Sequence, residues 1–123
     1  IVQALRGRPL TIYGDGSQTR SFCYVDELVN GLILLMNSEY EKPVNLGNPE
    51  EYSVIDLAKI IIEATGSSST IISRPLPEDD PKKRRPDISL AKKILDWNPQ
   101  IGLSKGLPFT IEWFNKALEK YEI

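Results

Sequence analysis

The sequence predicts an α/β fold in which short strands alternate with about four helices. Two observations carry this. Apolar residues recur at helical spacing in several separate windows, and between the windows lie brief apolar runs ended by Gly, Pro or Asn. A third observation bounds the size: 123 residues, 41% apolar and 26% charged, suffice for one small domain with a real core.

The elements follow in chain order. Ile1 to Gly7 reads as the last turns of a helix closed by glycine, with no initiator Met, which suggests a chain cut from something longer. Leu10 to Tyr13 is a strand between Pro9 and the turn Gly14-Asp15-Gly16-Ser17. Val25 to Asn37 is a helix whose packing stripe is Val25, Leu28, Val29, Leu32, Leu35 and Met36. Val44 to Leu46 is a brief buried strand stopped by Gly47-Asn48-Pro49. Ser53, with Asp56 three residues on, opens a second helix that Gly66 closes. Thr70 to Ser73 is a strand, and Pro75 to Pro86 is a loop with four prolines. Ile88 to Leu95 is a short helix. Ser104 is the N-cap candidate of the last one, with Pro108 pushing regular helix to a later start.

Composition excludes several function classes. Net charge is −2, so no overall basic field draws the chain to nucleic acid or to a membrane surface. The longest apolar stretch, Leu28 to Met36, is broken by Asn30 and Gly31 and is too short to span a bilayer, and no signal peptide is visible. The single cysteine, Cys23, rules out an intrachain disulfide and reads as a packing residue. With no histidine, the usual zinc and Ser–His or Cys–His sites are absent, and no metal site is expected.

Two segments hold groups suited to an anion. In Tyr13-Gly14-Asp15-Gly16-Ser17-Gln18-Thr19-Arg20 the glycines allow close backbone approach, Gln18 offers an amide and Arg20 a fork of donors. No Gly-Lys-Ser/Thr and no helix follow, so local chemistry alone favours a plain strand-exit turn. The loop Glu78 to Asp87 carries four consecutive cations, Lys82 to Arg85, beside four acids; local chemistry reads it as solvated charge stiffened by Pro81 and Pro86. Asp26 and Glu27 suit the dipole at the start of their helix, and Trp97, Trp113 and Phe114 read as packing residues.

Taken together, several strings resemble one family. They are Pro9 to Phe22 (PLTIYGDGSQTRSF), Tyr24 to Gly31 (YVDELVNG), Val44 to Glu51 (VNLGNPEE), Asp79-Asp80-Pro81, Arg84 to Ile88 (RRPDI), Leu95 to Pro99 (LDWNP) and Gly106-Leu107. In this order and spacing the chain, from about residue 1 to 118, is similar to the C-terminal region of the extended short-chain dehydrogenase/reductase (NAD-dependent epimerase/dehydratase) family. The branch it most resembles is UDP-glucuronate decarboxylase.

The resemblance narrows the α/β class to the small C-terminal substrate-binding lobe of an extended Rossmann-type enzyme, with residues 1–123 as one nucleotide-sugar-binding lobe. It implies NAD as cofactor, held by an N-terminal Rossmann domain outside this chain, and a UDP-sugar as ligand. Arg20 is then expected at the diphosphate or ribose. Arg84 is expected near the reacting sugar, with a catalytic role, and Tyr13 and Gln18 beside the same pocket. Family chemistry implies oxidation at C4 of the hexuronic acid by NAD, loss of CO2 from the β-keto acid, and return of the hydride to give UDP-xylose. This chain holds neither a G-x-G-x-x-G turn nor a Tyr-x-x-x-Lys pair, so it is expected to bind but not to turn over alone. Within the family, a dTDP-glucose 4,6-dehydratase or a UDP-sugar 4-epimerase is the alternative; from another class, a non-catalytic binding module. The fragment reading predicts an apolar face left uncovered, with Ile55/Ala58/Ile62 as candidates. A homodimer of the parent, no nucleic acid and no membrane contact complete the expectations. The compartment is the cytoplasm, or the secretory-pathway lumen for a eukaryotic parent.

Overall fold

The structure is a computed structural model, and it describes residues 1–120. The elements are α1 (Val2–Leu5), β1 (Leu10–Tyr13), β2 (Thr19–Ser21), α2 (Val25–Met36), β3 (Glu51–Ser53), α3 (Val54–Thr65), β4 (Ile71–Arg74), β5 (Lys83–Arg84), α4 (Ser89–Leu95) and α5 (Leu103–Lys120). β1 and β4 form a parallel pair, Leu10 opposite Ile71 and Tyr13 opposite Arg74. β2, β3 and β5 make a three-stranded sheet in the order β3-β2-β5. The α/β class is as the sequence predicts, while β2, β3 and β5 are too short and too polar to show an apolar alternation.

The chain divides into two compact units, each built from separated stretches. Unit 1 takes Ile1–Thr19, Tyr52–Lys83 and Leu107–Ile123. Its core is Ala4, Leu10, Ile12 and Ala58, with Val54, Ile55, Ile61, Ile62 and Ile71 packed against them. The capping at Ser53 explains where α3 starts. The Ser53 hydroxyl accepts from the Asp56 N–H at 3.1 Å and donates to the Asp56 carboxylate at 2.5 Å. Gly66 ends α3 in the left-handed conformation at φ 60°. The face Ile55/Ala58/Ile62, expected as uncovered, is instead turned into this core.

Unit 2 takes Arg20–Glu51 and Arg84–Gly106. Ile88, Ala91 and Trp97 form its core, flanked by Cys23, Val44, Leu46 and Leu95. A tight approach lies at Gly31 of α2, where an added Cβ would lie 2.9 Å from Trp97 Nε1. That indole N–H donates to the Glu27 carbonyl at 3.0 Å. The Glu27 carboxylate then accepts the N–H groups of Gln100 at 2.5 Å and Ile101 at 3.0 Å.

Four expectations are corrected here. The apolar stripe of α2 is not its packing face: Val25 is 60% exposed, Val29 46%, Leu32 48% and Met36 83%. The helix packs through Gly31 and Glu27, because only a residue without a side chain lets Trp97 close on the backbone. Val44 to Leu46 does not form a strand, since among the described residues no other strand lies beside it to complete a ladder. α5 starts at Leu103 and runs through Pro108, at the cost of one backbone hydrogen bond. Trp113 is 60% exposed, its ring edge-on to Phe114 at 5.0 Å, instead of packed inside.

Candidate functional site

The glycine turn after β1 is locally self-satisfied. Gly14 (φ 70°) and Gly16 (φ 78°) both take the left-handed conformation. Gly16 also needs to be bare, because a Cβ there would sit 2.8 Å from the Ile55 Cβ. The Asp15 carboxylate accepts the Ser17 N–H at 2.9 Å. Hydrogen bonding from Ser17, side chain first and backbone second, holds the Asp15 carboxyl below its ordinary value. Gln18 is buried, and its amide donates to the Tyr13 carbonyl at 2.8 Å. Its side chain therefore braces the turn. Tyr13 is 47% exposed.

Past the turn the chain enters β2, which carries Arg20, while β5 carries Arg84. The two strands are neighbours in one sheet, and this brings two arginines from distant parts of the sequence together. Both line a single cavity of about 830 Å³ within unit 2. Its wall has two characters. Arg20, Arg84, Arg85 and Asn45 supply donors, while Leu28, Leu32 and Leu35 of α2 supply an apolar side. The sequence-expected residues thus split: Arg20 and Arg84 meet in this cavity, and Tyr13 and Gln18 are not among its lining.

Two lining residues escaped the sequence reading. Asn45 sits between Val44 and Leu46, which are partly buried against the unit 2 core, and an alternating pattern is the signal that turns it outward. Arg85 lies inside the RRPDI string, where local chemistry predicts only solvated charge. It pairs loosely with Glu51, at 3.9 Å. On the same rim the Asp87 carboxylate accepts the Ser89 N–H at 2.9 Å. That backbone bond first, the Ser89 side chain next, and the charge of Arg85 lower the Asp87 carboxyl. The Ser21 hydroxyl, beside Arg20, is buried with no hydrogen-bond partner among the described residues.

Three arginines with planar forks suit a phosphate or carboxylate bound through two oxygens. Nothing in the site suits a nucleophile. Burial first, and then the charge of Glu27, push the Cys23 thiol up, which keeps it protonated and inert. Among the described residues no group of three or more His, Cys, Asp or Glu side chains is placed to hold a metal ion. No helix among them is long and apolar enough to cross a membrane.

The chain is similar to known proteins of one family. The family model for GDP-mannose 4,6 dehydratase matches residues 1–109. The UDP-glucuronic acid decarboxylase 1 of Danio rerio is 52% identical over 119 residues, which is 97% of this chain. The chain spans 28% of that curated relative's length. Among solved structures, the UDP-glucose 4-epimerase of Thermotoga maritima, with UDP-glucose, is 34% identical and superposes with a TM-score of 0.89. It covers 94% of this chain and 38% of its own. The UDP-glucuronic acid 4-epimerase of Bacillus cereus, in complex with UDP-glucuronic acid and NAD, is 33% identical with a TM-score of 0.79. There the match covers 85% of this chain and 34% of the epimerase.

Proposed function

We infer the function from one premise: this chain belongs to the GDP-mannose 4,6-dehydratase family, in the epimerase/dehydratase group of the extended short-chain dehydrogenases/reductases. We propose that it is the nucleotide-sugar-binding, C-terminal part of an NAD-dependent UDP-glucuronate decarboxylase, which converts UDP-glucuronate to UDP-xylose and CO2. The observation that carries this reading is the meeting of Arg20 and Arg84 in one cavity. A UDP-glucuronate has two anionic ends, a diphosphate and a sugar carboxylate. Arg20 takes the diphosphate or ribose, and Arg84 the sugar end. The Gln18 amide braces the turn after β1.

The described residues do not fit NAD. A dinucleotide pyrophosphate needs a glycine-rich turn that opens directly into a helix. The turn after β1 opens instead into β2, and its glycines pack on Ile55 and Leu76. The cofactor belongs to the N-terminal Rossmann domain of the parent, as does any proton-transfer pair and the dimer contact. No redox step is assigned to these residues. The chain alone binds and does not turn over. The parent's compartment is the cytoplasm, or the secretory lumen in a eukaryote.

One observation favours a second reading within the family. The solved structures similar to this chain include a UDP-glucose 4-epimerase, so a 4-epimerase parent is the alternative. Calorimetry with UDP, UDP-glucuronate, dTDP and NAD tests the binding claim. The uridine ligands are expected to bind, and NAD is not. NAD binding, or indifference to all four ligands, contradicts the reading. Adding UDP-glucuronate and NAD to the longer polypeptide separates the two enzymes: release of CO2 marks the decarboxylase, and a retained carboxylate inverted at C4 marks the epimerase.

A further inference from the structure

We propose that Gly47 is a positioning residue for Arg84: its bare backbone seats the Pro86 ring, and that seat fixes how far the Arg84 guanidinium reaches along the unit 2 cavity. This rests on the function proposed above and adds what sets the place of the arginine at the sugar end.

Gly47 is buried and its φ is not positive, so its backbone conformation is open to any residue. Space is what asks for glycine there. A Cβ at 47 would lie 2.9 Å from Pro86 Cγ and 3.4 Å from Pro86 Cβ, nearer than carbon atoms pack. The proline ring is closed on its own backbone nitrogen and has no rotamer to escape into. A push on the ring is therefore a push on the chain.

What holds each side decides which part gives. Gly47 is followed by the buried Asn48, whose side-chain oxygen accepts the Glu50 N–H at 2.9 Å and whose side-chain nitrogen donates to the Ile101 carbonyl at 3.5 Å. The chain after Pro86 is held as well. The Asp87 carboxylate accepts the Ser89 N–H at 2.9 Å, and Ile88 lies in the unit 2 core. Before Pro86 stand Arg84 and Arg85, both exposed. The ion pair of Arg85 with Glu51 is long, at 3.9 Å, and holds this side weakly. The displacement therefore runs toward Arg84, two residues upstream, which lines the same cavity as Pro86. A guanidinium moved by about an ångström loses a contact through two oxygens of a carboxylate, while a diphosphate on Arg20 is untouched.

The test is calorimetry of the 123-residue chain with UDP and UDP-glucuronate, for Gly47→Ala, Pro86→Ala and the double variant. Alongside it, the Arg84 Nε–Hε resonance, identified by its loss in Arg84→Ala, is followed in the ligand-free protein. Gly47→Ala is expected to weaken UDP-glucuronate at least about fivefold, to leave UDP within about twofold and to shift the resonance. In the Pro86→Ala background the atom it meets is gone, and Gly47→Ala is expected to add less than about twofold. An alanine that only destabilises the fold lowers the melting temperature and treats both ligands alike. That outcome, an unmoved resonance, or full additivity of the two variants overturns the proposal. The functional reading fails separately, if the unaltered chain binds neither ligand or Arg84→Ala leaves UDP-glucuronate binding intact. The resonance then decides alone: a shift in Gly47→Ala upholds the positioning role, and no shift overturns it. Should Gly47→Ala fail to fold, Pro86→Ala takes its place, because it empties the seat without crowding it. The same selective loss of UDP-glucuronate is expected from it, and equal effects on both ligands overturn the proposal.

Discussion

Glu27 ties one indole and two backbone N–H groups together. Its carbonyl takes the Trp97 indole and its carboxylate takes the N–H groups of Gln100 and Ile101. Glu27→Ala leaves two backbone donors without their acceptor, and a loss of about 1.5–3 kcal/mol is expected in denaturant unfolding. A loss under about 0.5 kcal/mol would contradict the clamp. Gly31→Ala sets two effects against each other. Helix propensity favours alanine by about 1 kcal/mol. The new methyl, however, meets Trp97 at 2.9 Å and Leu46 at 3.1 Å, and overpacking of this kind costs about 1–3 kcal/mol. A net destabilisation is expected, with the Trp97 emission altered. Asp87 gives a pH prediction. Its folded carboxyl lies below the ordinary value, so its contribution is present above an unfolded carboxylate pKa of about 3.9 and fades as pH falls through the lower folded value. Asp87→Asn should therefore flatten stability against pH only in that acid range. None of these roles was legible in the sequence. Glu27 read as a dipole partner because its acceptor geometry depends on residues more than seventy positions away.

Among the elements, those governed by local chemistry were legible and those governed by partners were not. α3 starts at Ser53 and ends at Gly66 as its caps dictate, because both signals act within one turn. Ser53→Ala should cost about 1 kcal/mol and fray the first turn, read by thermal unfolding and exchange at Asp56. An unchanged melting temperature would show that the cap does nothing. α2 was found at the right place but with the wrong face inward. Its apolar stripe predicts the packing face, whereas Gly31 marks the side that packs. Val44 to Leu46 has the composition of a strand and, among the described residues, lacks a strand beside it, since a strand needs a neighbour to exist. β2 and β5 carry the two site arginines and are only three and two residues long, with no apolar alternation to reveal them.

For the whole molecule, the α/β class and the family strings were readable because they depend on order and spacing along the chain. The two compact units were not, because each gathers stretches that are far apart in sequence. The same holds for the site. RRPDI and the glycine turn named Arg20 and Arg84, but only the neighbouring of β2 and β5 brings them to one cavity. Gln18 is a candidate ligand by chemistry, and its amide donates to the Tyr13 carbonyl. The central claim is that these two arginines hold different ends of one nucleotide sugar. It is tested most directly by calorimetry of Arg20→Ala and Arg84→Ala against UDP and UDP-glucuronate side by side. Each lost charged hydrogen bond is worth about 1.5–3 kcal/mol, or about tenfold or more in affinity. Arg20→Ala should weaken both ligands by that factor, and Arg84→Ala should weaken UDP-glucuronate while leaving UDP within about twofold. If Arg84→Ala weakens both ligands equally, or neither, the two arginines do not divide one ligand between them.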